Sequence, residues 1–124
     1  MKKAKILIVD NNKDVCRIYE DTLNAAGYFA SSIKDEEKAL EIIYNEKPDI
    51  ILLDILMPKI SGLHILQRIH KDYHTKEINV IILTEITDSN IKKKAFRYGA
   101  KDYIVKSETD MQELLKRIDK VISK

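Results

Sequence analysis

Four residues with reactive side chains each follow a short run of apolar residues. Asp10, Asp54 and Thr84 come directly after strongly apolar runs, and Lys106 comes after a weaker one. Two carboxylates that lie close together repel each other, so they either share a proton or hold a cation. As metal ligands, carboxylate oxygens suit Mg²⁺ better than zinc or copper. A metal ion, a carboxylate nucleophile, a hydroxyl donor and a lysine are the groups that phosphoryl transfer requires.

The apolar runs themselves predict β-strands. Residues 6–9, 50–53 and 80–83 are rich in Ile and Val and do not alternate with polar residues. Short continuous runs of this kind are typical of parallel strands that are buried on both faces. Two weaker patterns predict further strands at residues 28–33 and 103–105.

Helical patterns fill the segments between and after these strands. Apolar residues recur at helical spacing in residues 15–26, 39–44, 63–70, 91–98 and 111–122. Gly27 and Gly99 follow the first and fourth patterns, where glycine commonly ends a helix. Thr109 or Asp110 is placed to cap the fifth helix at its N-terminus.

The alternation of strand and helix predicts an α/β fold. Short connections between parallel strands imply right-handed crossovers, so we expect an open five-stranded parallel sheet that is doubly wound, with helices on both faces. In such sheets, ligands bind outside the carboxyl ends of the strands. The residues that end the apolar runs are therefore expected to gather at one edge of the sheet.

Composition excludes several classes of function. The 124 residues include 22 Lys and Arg and 20 Asp and Glu, a net charge of +2 that argues against a dedicated nucleic-acid or polybasic membrane protein. The three glycines lie too far apart for a glycine-rich phosphate-binding loop. Cys16 is the single cysteine, and no apolar run is long enough for a signal peptide or a membrane span. We therefore expect a cytoplasmic protein.

The sequence resembles the receiver domains of two-component response regulators. The motifs that carry this resemblance are Ile-Leu-Ile-Val-Asp10, Ile-Ile-Leu-Leu-Asp54 with Met57-Pro58 and Gly62, Val-Ile-Ile-Leu-Thr84, Gly99-Ala100, and Asp-Tyr103-Ile-Val-Lys106. They stand in the family's order and spacing over essentially the whole chain. The resemblance implies a flavodoxin-like strand order 2-1-3-4-5. It also implies one receiver domain over residues 1–124, with no effector domain in the chain.

The family's chemistry implies a role for each residue of the acidic edge, by which we mean Asp10, Asn11, Asp54 and Leu56 at the carboxyl ends of the first and third strands. Asp54 would accept a phosphoryl group from the phosphohistidine of a sensor histidine kinase or a phosphotransfer protein. Mg²⁺ would be held by Asp10, Asn11, Asp54 and the backbone carbonyl of Leu56. The protein would be a signalling receiver that catalyses only its own phosphorylation and dephosphorylation.

The resemblance also implies how the phosphoryl group would act as a signal. Lys106 would pair with the phosphoryl oxygens, Thr84 would move to hydrogen-bond them, and Tyr103 would turn inward as Thr84 moves. The face formed by helix 4, strand 5 and helix 5 would then change its preference for a downstream protein partner, a population shift driven by the added negative charge. We expect no direct binding to nucleic acid or to a membrane.

Three residues depart from the family pattern. Asn11 replaces the second acid of the usual pair, which removes one negative charge and predicts weaker Mg²⁺ binding. Glu85 follows Thr84 where the family prefers a small residue, and its carboxylate either hinders the phosphodonor or points to solvent. Ser107 follows Lys106 where the family usually has a proline in a cis bond. Since a cis bond before a non-proline residue is costly, either that strain is present or a trans loop aims Lys106 differently.

These departures keep an alternative function open. A pseudo-receiver would retain the fold but act as a protein-interaction module without phosphorylation. A flavodoxin-like electron carrier would share the architecture, but residues 10–14 do not form a phosphate-binding loop and the chain has no tryptophan to flank a flavin.

Other candidate features favour structural roles. His70 and His74 lie four residues apart, but a zinc site needs further ligands. Cys16, Tyr44 and Phe96 are expected to pack in the core. The basic residues of the segment 91–106 are expected to form a solvated face, or a surface of helix 4 for an acidic partner.

Overall fold

Five parallel strands and five α-helices alternate along the chain, as the sequence predicts. The computed structural model describes residues 4–57 and 60–123, so Pro58 of the predicted motif lies outside the described residues. The strands are β1 (Lys5–Val9), β2 (Phe29–Ile33), β3 (Ile50–Leu53), β4 (Asn79–Thr84) and β5 (Asp102–Val105). The helices are α1 (Lys13–Ala25), α2 (Ala39–Glu46), α3 (Gly62–Lys71), α4 (Ser89–Arg97) and α5 (Met111–Ile122), with short 3₁₀ turns at Glu36–Lys38 and Lys106–Glu108.

The strand order is β2-β1-β3-β4-β5, which confirms the predicted flavodoxin-like topology. The register aligns the carboxyl ends of the strands. Val9 at the end of β1 pairs with Leu53 at the end of β3, and Thr84 at the end of β4 pairs with Val105 at the end of β5. The residues that follow each strand therefore meet at one edge of the sheet.

Both faces of the sheet are buried, which explains why the apolar runs do not alternate with polar residues. In β1, Leu7 and Val9 face a core that includes side chains of α2, α3 and α4. Ile6 and Ile8 face the opposite core, which includes side chains of α1 and α5. Successive strand residues point to opposite faces, so each strand contributes to both cores.

Capping residues fix where the helices begin. The side chains of Asn12, Ser61, Asp88 and Asp110 accept hydrogen bonds from backbone N–H groups in the first turns of α1, α3, α4 and α5. Such caps satisfy N–H groups that have no partner within the helix. For α5 the sequence left two candidates, and Asp110 is the cap.

Two residues predicted to lie in the core are in fact exposed at the surface. Tyr44 and Phe96 each expose 43% of their surface, so their assignment to the core was wrong. Each directly follows the residue that fills the inner face of its helix, Ile43 in α2 and Ala95 in α4, both fully buried. A step of one residue turns about 100° around a helix, which carries the aromatic ring outward. Cys16 is buried, as expected.

His70 has a structural role rather than a metal-binding one. Its Nδ1 lies 2.9 Å from the carbonyl oxygen of Tyr98, and its Nε2 lies 3.2 Å from the carbonyl oxygen of Ile78. Each ring nitrogen thus faces a backbone carbonyl oxygen, and a ring N–H can donate to one of them. The His70 ring therefore joins α3 to the turn after α4 and to the segment that leads into β4.

Within residues 4–57 and 60–123, no helix has the length and apolar character needed to cross a membrane.

The turn after α4 generates a stability prediction. Gly27 and Gly99 both have positive φ, +100° and +108°. A Cβ on Gly99 would lie 2.6 Å from His70 Nδ1, whereas a Cβ on Gly27 would have no atom within 4 Å. We expect Gly27→Ala to cost about 1–2 kcal/mol of unfolding free energy through backbone strain. Gly99→Ala should cost about 1–3 kcal/mol more, because the His70 ring must shift.

Urea unfolding of the two variants measures this difference directly. Equal losses of stability in the two variants would contradict the packing of Gly99 against His70.

Candidate functional site

The sheet places Asp10 and Asp54 side by side. The backbone N–H of Asp10 donates to the carbonyl of Ile33 at 3.2 Å, and the N–H of Asp54 donates to the carbonyl of Val9 at 3.0 Å. These bonds continue the ladders of β1 one residue beyond the strand ends. Both carboxylate residues are buried, with 3% of Asp10 and 8% of Asp54 exposed. The predicted convergence of the two acids is confirmed.

Lys106 bridges the two acids. Its Nζ lies 2.6 Å from Asp10 Oδ2 and 3.2 Å from Asp54 Oδ2. Burial of the ammonium is the largest single effect on the pKa of Lys106 and lowers it, but the hydrogen bonds and charges of Asp10 and Asp54 together outweigh burial and raise the pKa above its usual value. The lysine is therefore charged at neutral pH and supplies the cation that the acid pair requires.

The second oxygen of each carboxylate is held by the backbone of its own loop. Asp54 Oδ1 accepts the N–H of Leu56, and Asp10 Oδ1 accepts the N–H of Asn12, both at 3.0 Å. Each carboxylate is thus oriented by one backbone N–H and one ammonium. These contacts fix the rotation of the Asp54 carboxylate, which a nucleophile in phosphoryl transfer needs.

Gly62 brings the start of α3 against the backbone of Asp54. A Cβ on Gly62 would overlap the carbonyl oxygen of Asp54 and lie 2.5 Å from the Cα of Ile55. Only glycine allows this approach, which explains its place eight residues after the aspartate. Glu36 supports the same loop, because its buried carboxylate accepts the N–H of Ile60 at 3.3 Å. Nothing in the sequence pattern pointed to Glu36.

Thr84 and Tyr103 are connected through the backbone of Ile86. The N–H of Ile86 lies 3.5 Å from Thr84 Oγ1, and the hydroxyl of Tyr103 donates to the carbonyl of Ile86 at 2.7 Å. Thr84 is fully buried and Tyr103 is 4% exposed, so the tyrosine side chain lies inward. Burial is the main cause that raises the pKa of Tyr103, followed by the charges of Asp54 and Asp88, so its hydroxyl remains a donor.

The donor set at the acidic edge fits Mg²⁺. Asp10 and Asp54 already direct one oxygen each at a shared cation, and such hard oxygen ligands are those that Mg²⁺ prefers. In the described part of the chain, no group of three or more His, Cys, Asp or Glu residues could hold a metal ion. Mg²⁺ usually keeps several waters, and an amide or a backbone carbonyl of the protein could serve as a further ligand. Asn11, which follows Asp10 and is exposed, and the backbone carbonyl of Leu56 remain the predicted further ligands.

The structure joins two of the three departures from the family pattern. The N–H of Ser107 donates to Glu85 Oε1 at 3.1 Å. The described residues contain no cis peptide bond, so the loop after Lys106 runs trans, one of the two alternatives that the sequence left open. Lys106 still reaches both acids. Glu85 is exposed, as one of its two interpretations expected, but its carboxylate is engaged by the backbone of Ser107.

Sequence reasoning therefore identified the residues at the strand ends and missed several that hold them. Asn12 and Ser61 are residue types that commonly cap helices, and their position before apolar periodic segments was a usable signal. The contacts of Glu36 and Glu85 join segments that are distant in sequence. No local pattern predicts such contacts.

Comparisons with known proteins identify the family of the chain. A family described as the response regulator receiver domain matches residues 6–119. A protein of Guillardia theta named "Probable transcriptional regulator ycf27" is 37% identical over 124 residues, which cover 95% of this chain and 48% of that protein. The chain spans about half the length of the curated relatives it matches.

Solved structures show the same fold. Chemotaxis protein CheY4 of Vibrio cholerae superposes with a TM-score of 0.88 at 27% identity, covering 97% of this chain and 99% of that one. The BeF3-activated N-terminal receiver domain of Klebsiella pneumoniae RstA gives a TM-score of 0.89 at 25% identity, covering 97% of this chain and 99% of that one. From its sequence, its fold and the arrangement of its acidic edge, the chain belongs to the response regulator receiver domains of two-component systems.

Proposed function

We propose that the chain is a phosphoacceptor that takes a phosphoryl group on Asp54 from the phosphohistidine of a sensor histidine kinase or a phosphotransfer protein. Membership of the family implies interaction with kinases and downstream targets. The observation that carries the proposal is the Asp54 carboxylate, which is oriented by the Leu56 N–H and by the ammonium that it shares with Asp10.

The transfer is a balanced exchange of one bond for another. An oxygen of Asp54 forms a bond to phosphorus while the P–N bond of the phosphohistidine breaks, and the electron pair of that bond returns to the imidazole nitrogen. Hydrolysis by water later releases inorganic phosphate and restores the carboxylate. We propose that the chain catalyses only these two reactions on itself.

Lys106 would respond to the new charge on Asp54. Its Nζ is held by Asp10 and Asp54, so it lies where it can pair with phosphoryl oxygens on Asp54. A charge-assisted bond to a dianionic group is stronger than a bond to a single carboxylate. Lys106 would therefore shift toward the phosphoryl group.

Receiver domains generally bind Mg²⁺, and we propose that this chain does so through Asp10, Asn11, Asp54 and the backbone carbonyl of Leu56. When bound, the ion would offset the negative charge of the phosphoryl group and of the acid pair. Asn11 would contribute an amide oxygen without a charge, which weakens the site relative to one with a third acid.

The signal would leave the site through Thr84 and Tyr103. Both contact the peptide units of Ile86, so a movement of Thr84 toward the phosphoryl group would shift this backbone and change the contact of the Tyr103 hydroxyl. The face of α4, β5 and α5 would then change its affinity for a downstream protein. Five exposed basic residues lie on or near α4 and favour an acidic partner: Lys92, Lys93, Lys94, Arg97 and Lys101.

We propose that the protein acts in the cytoplasm.

A specific observation favours a second candidate function. The acid cluster holds two carboxylates, and the third position carries the exposed Asn11. A pseudo-receiver that binds partners without phosphorylation would tolerate this loss of charge. The two functions differ in whether Asp54 is ever modified.

Intact mass spectrometry separates the two functions. After incubation with Mg²⁺ and acetyl phosphate, we expect the wild-type chain to gain the mass of one phosphoryl group. Asp54→Asn should gain none, because an amide cannot form the acyl phosphate. Omission of Mg²⁺ should also abolish the gain. If the wild-type chain gains no mass from acetyl phosphate or from a phosphorylated histidine donor, the pseudo-receiver is the better account.

The metal ligands generate a separate prediction. Asn11→Asp restores a carboxylate beside Asp10, and we expect it to strengthen Mg²⁺ binding about tenfold, since most of the Coulomb energy of the added charge is offset by hydration. Isothermal titration calorimetry measures the affinity.

Asn12→Asp is the matched control, because it adds the same charge one residue away. Its side chain accepts the N–H groups of Asp14 and Val15 as the cap of α1, a role that aspartate retains. Asn12→Asp should change Mg²⁺ affinity much less. An Asn11→Asp variant with unchanged or weaker affinity would remove Asn11 from the proposed metal ligands.

A further inference from the structure

We propose that Glu85 is a positioning residue whose carboxylate holds the segment after Lys106 to the segment after Thr84 by accepting the N–H of Ser107. We call this hydrogen bond the Glu85–Ser107 latch. Its effect on phosphoryl transfer rests on the proposed function, whereas the hydrogen bond itself can be tested without phosphorylation.

The latch lies just beyond the end of a strand pair. The ladder between β4 and β5 ends at Thr84 and Val105. After this pair the two segments separate: one leads toward α4, and the other enters the 3₁₀ turn Lys106–Glu108. The bond from the Ser107 N–H to Glu85 Oε1 is 3.1 Å long, and it connects the two segments beyond the last hydrogen bonds of the backbone ladder.

The N–H of Ser107 needs an acceptor from outside its own turn. N–H groups in the first turn of a helix have no partner within it. The turn Lys106–Glu108 has no side-chain cap from its preceding residue Val105. Glu85 supplies the missing acceptor from the neighbouring loop. A proline at position 107 would have no N–H to donate, so this bond requires a residue other than proline there.

Both ends of the latch are adjacent to residues of the site. Glu85 lies between Thr84 and Ile86, whose backbone contacts Tyr103, and Ser107 directly follows Lys106, whose ammonium bridges the acid pair. The latch therefore fixes the chain beside the hydroxyl and the ammonium that would hold the phosphoryl oxygens. Fixing both segments before the reaction reduces the ordering cost of the transfer.

The charge of Glu85 offers an opposite expectation. A carboxylate near an anion-binding site repels an incoming phosphodonor, so its removal would speed phosphorylation. The latch predicts the reverse, because removal of the acceptor frees the segment that carries Lys106. Substitutions that separate the charge from the hydrogen-bond acceptor therefore distinguish the two effects.

Hydrogen exchange tests the bond itself. The Ser107 amide, followed by NMR, should exchange slowly in the wild type and in Glu85→Gln, whose amide oxygen is still an acceptor. Exchange should be faster in Glu85→Ala. Equal exchange rates in the wild type and Glu85→Ala would overturn the latch, whether or not the chain is ever phosphorylated.

Phosphorylation kinetics test its effect. With Mg²⁺ and acetyl phosphate, we expect Glu85→Ala to slow the gain of phosphoryl mass about three- to tenfold, the effect of one lost hydrogen bond. Glu85→Gln should stay close to the wild-type rate, and so should Glu108→Ala, which removes an exposed charge from the same turn without touching the latch.

Ser107→Ala is a further control, because it removes the serine hydroxyl but keeps the N–H that donates to Glu85. Its phosphorylation rate should stay close to that of the wild type. Faster phosphorylation in both Glu85→Gln and Glu85→Ala would overturn the proposed effect of the latch. A wild-type chain that takes up no phosphoryl group would instead refute the proposed function, and the exchange rates would still decide whether the latch exists.

Discussion

The site depends on one ammonium that is shared by two buried carboxylates. Asp10 and Asp54 are forced together because β1 and β3 are neighbours in register, and their charges would repel without a counter-charge. Lys106 supplies that charge from the end of β5, and its long side chain reaches across the edge of β4 to do so. The order of the strands thus determines both the repulsion between Asp10 and Asp54 and the distance that the Lys106 side chain must span to neutralise it.

This arrangement makes the site responsive to charge. Three charged groups sum to one net negative charge, so a second cation or an added phosphoryl group changes which partner the lysine prefers. The segment after Lys106 is tied to the loop that carries Thr84, and Thr84 is connected to Tyr103 through Ile86. The proposed signal would travel along these contacts toward the segment that leads into α4.

The strand ends were predictable from sequence because of a physical rule: parallel strands that are buried on both faces are continuously apolar, so the first polar residue marks the functional edge. Asp10, Asp54, Thr84 and Lys106 all follow from this rule. The contacts of Glu36 and Glu85 do not, because they join loops that only the complete fold brings together. Tyr44 and Phe96 were misplaced because one residue of rotation around a helix separates the core from solvent.

The most direct test of this account is the Mg²⁺ affinity of Lys106→Met, compared with the wild type by isothermal titration calorimetry, with circular dichroism to confirm folding. If the ammonium and Mg²⁺ neutralise the same two carboxylates, removal of the ammonium leaves them uncompensated, and the variant should bind Mg²⁺ about tenfold or more tightly. An affinity that is unchanged or weaker would contradict the claim that Asp10 and Asp54 form one cation site held by Lys106.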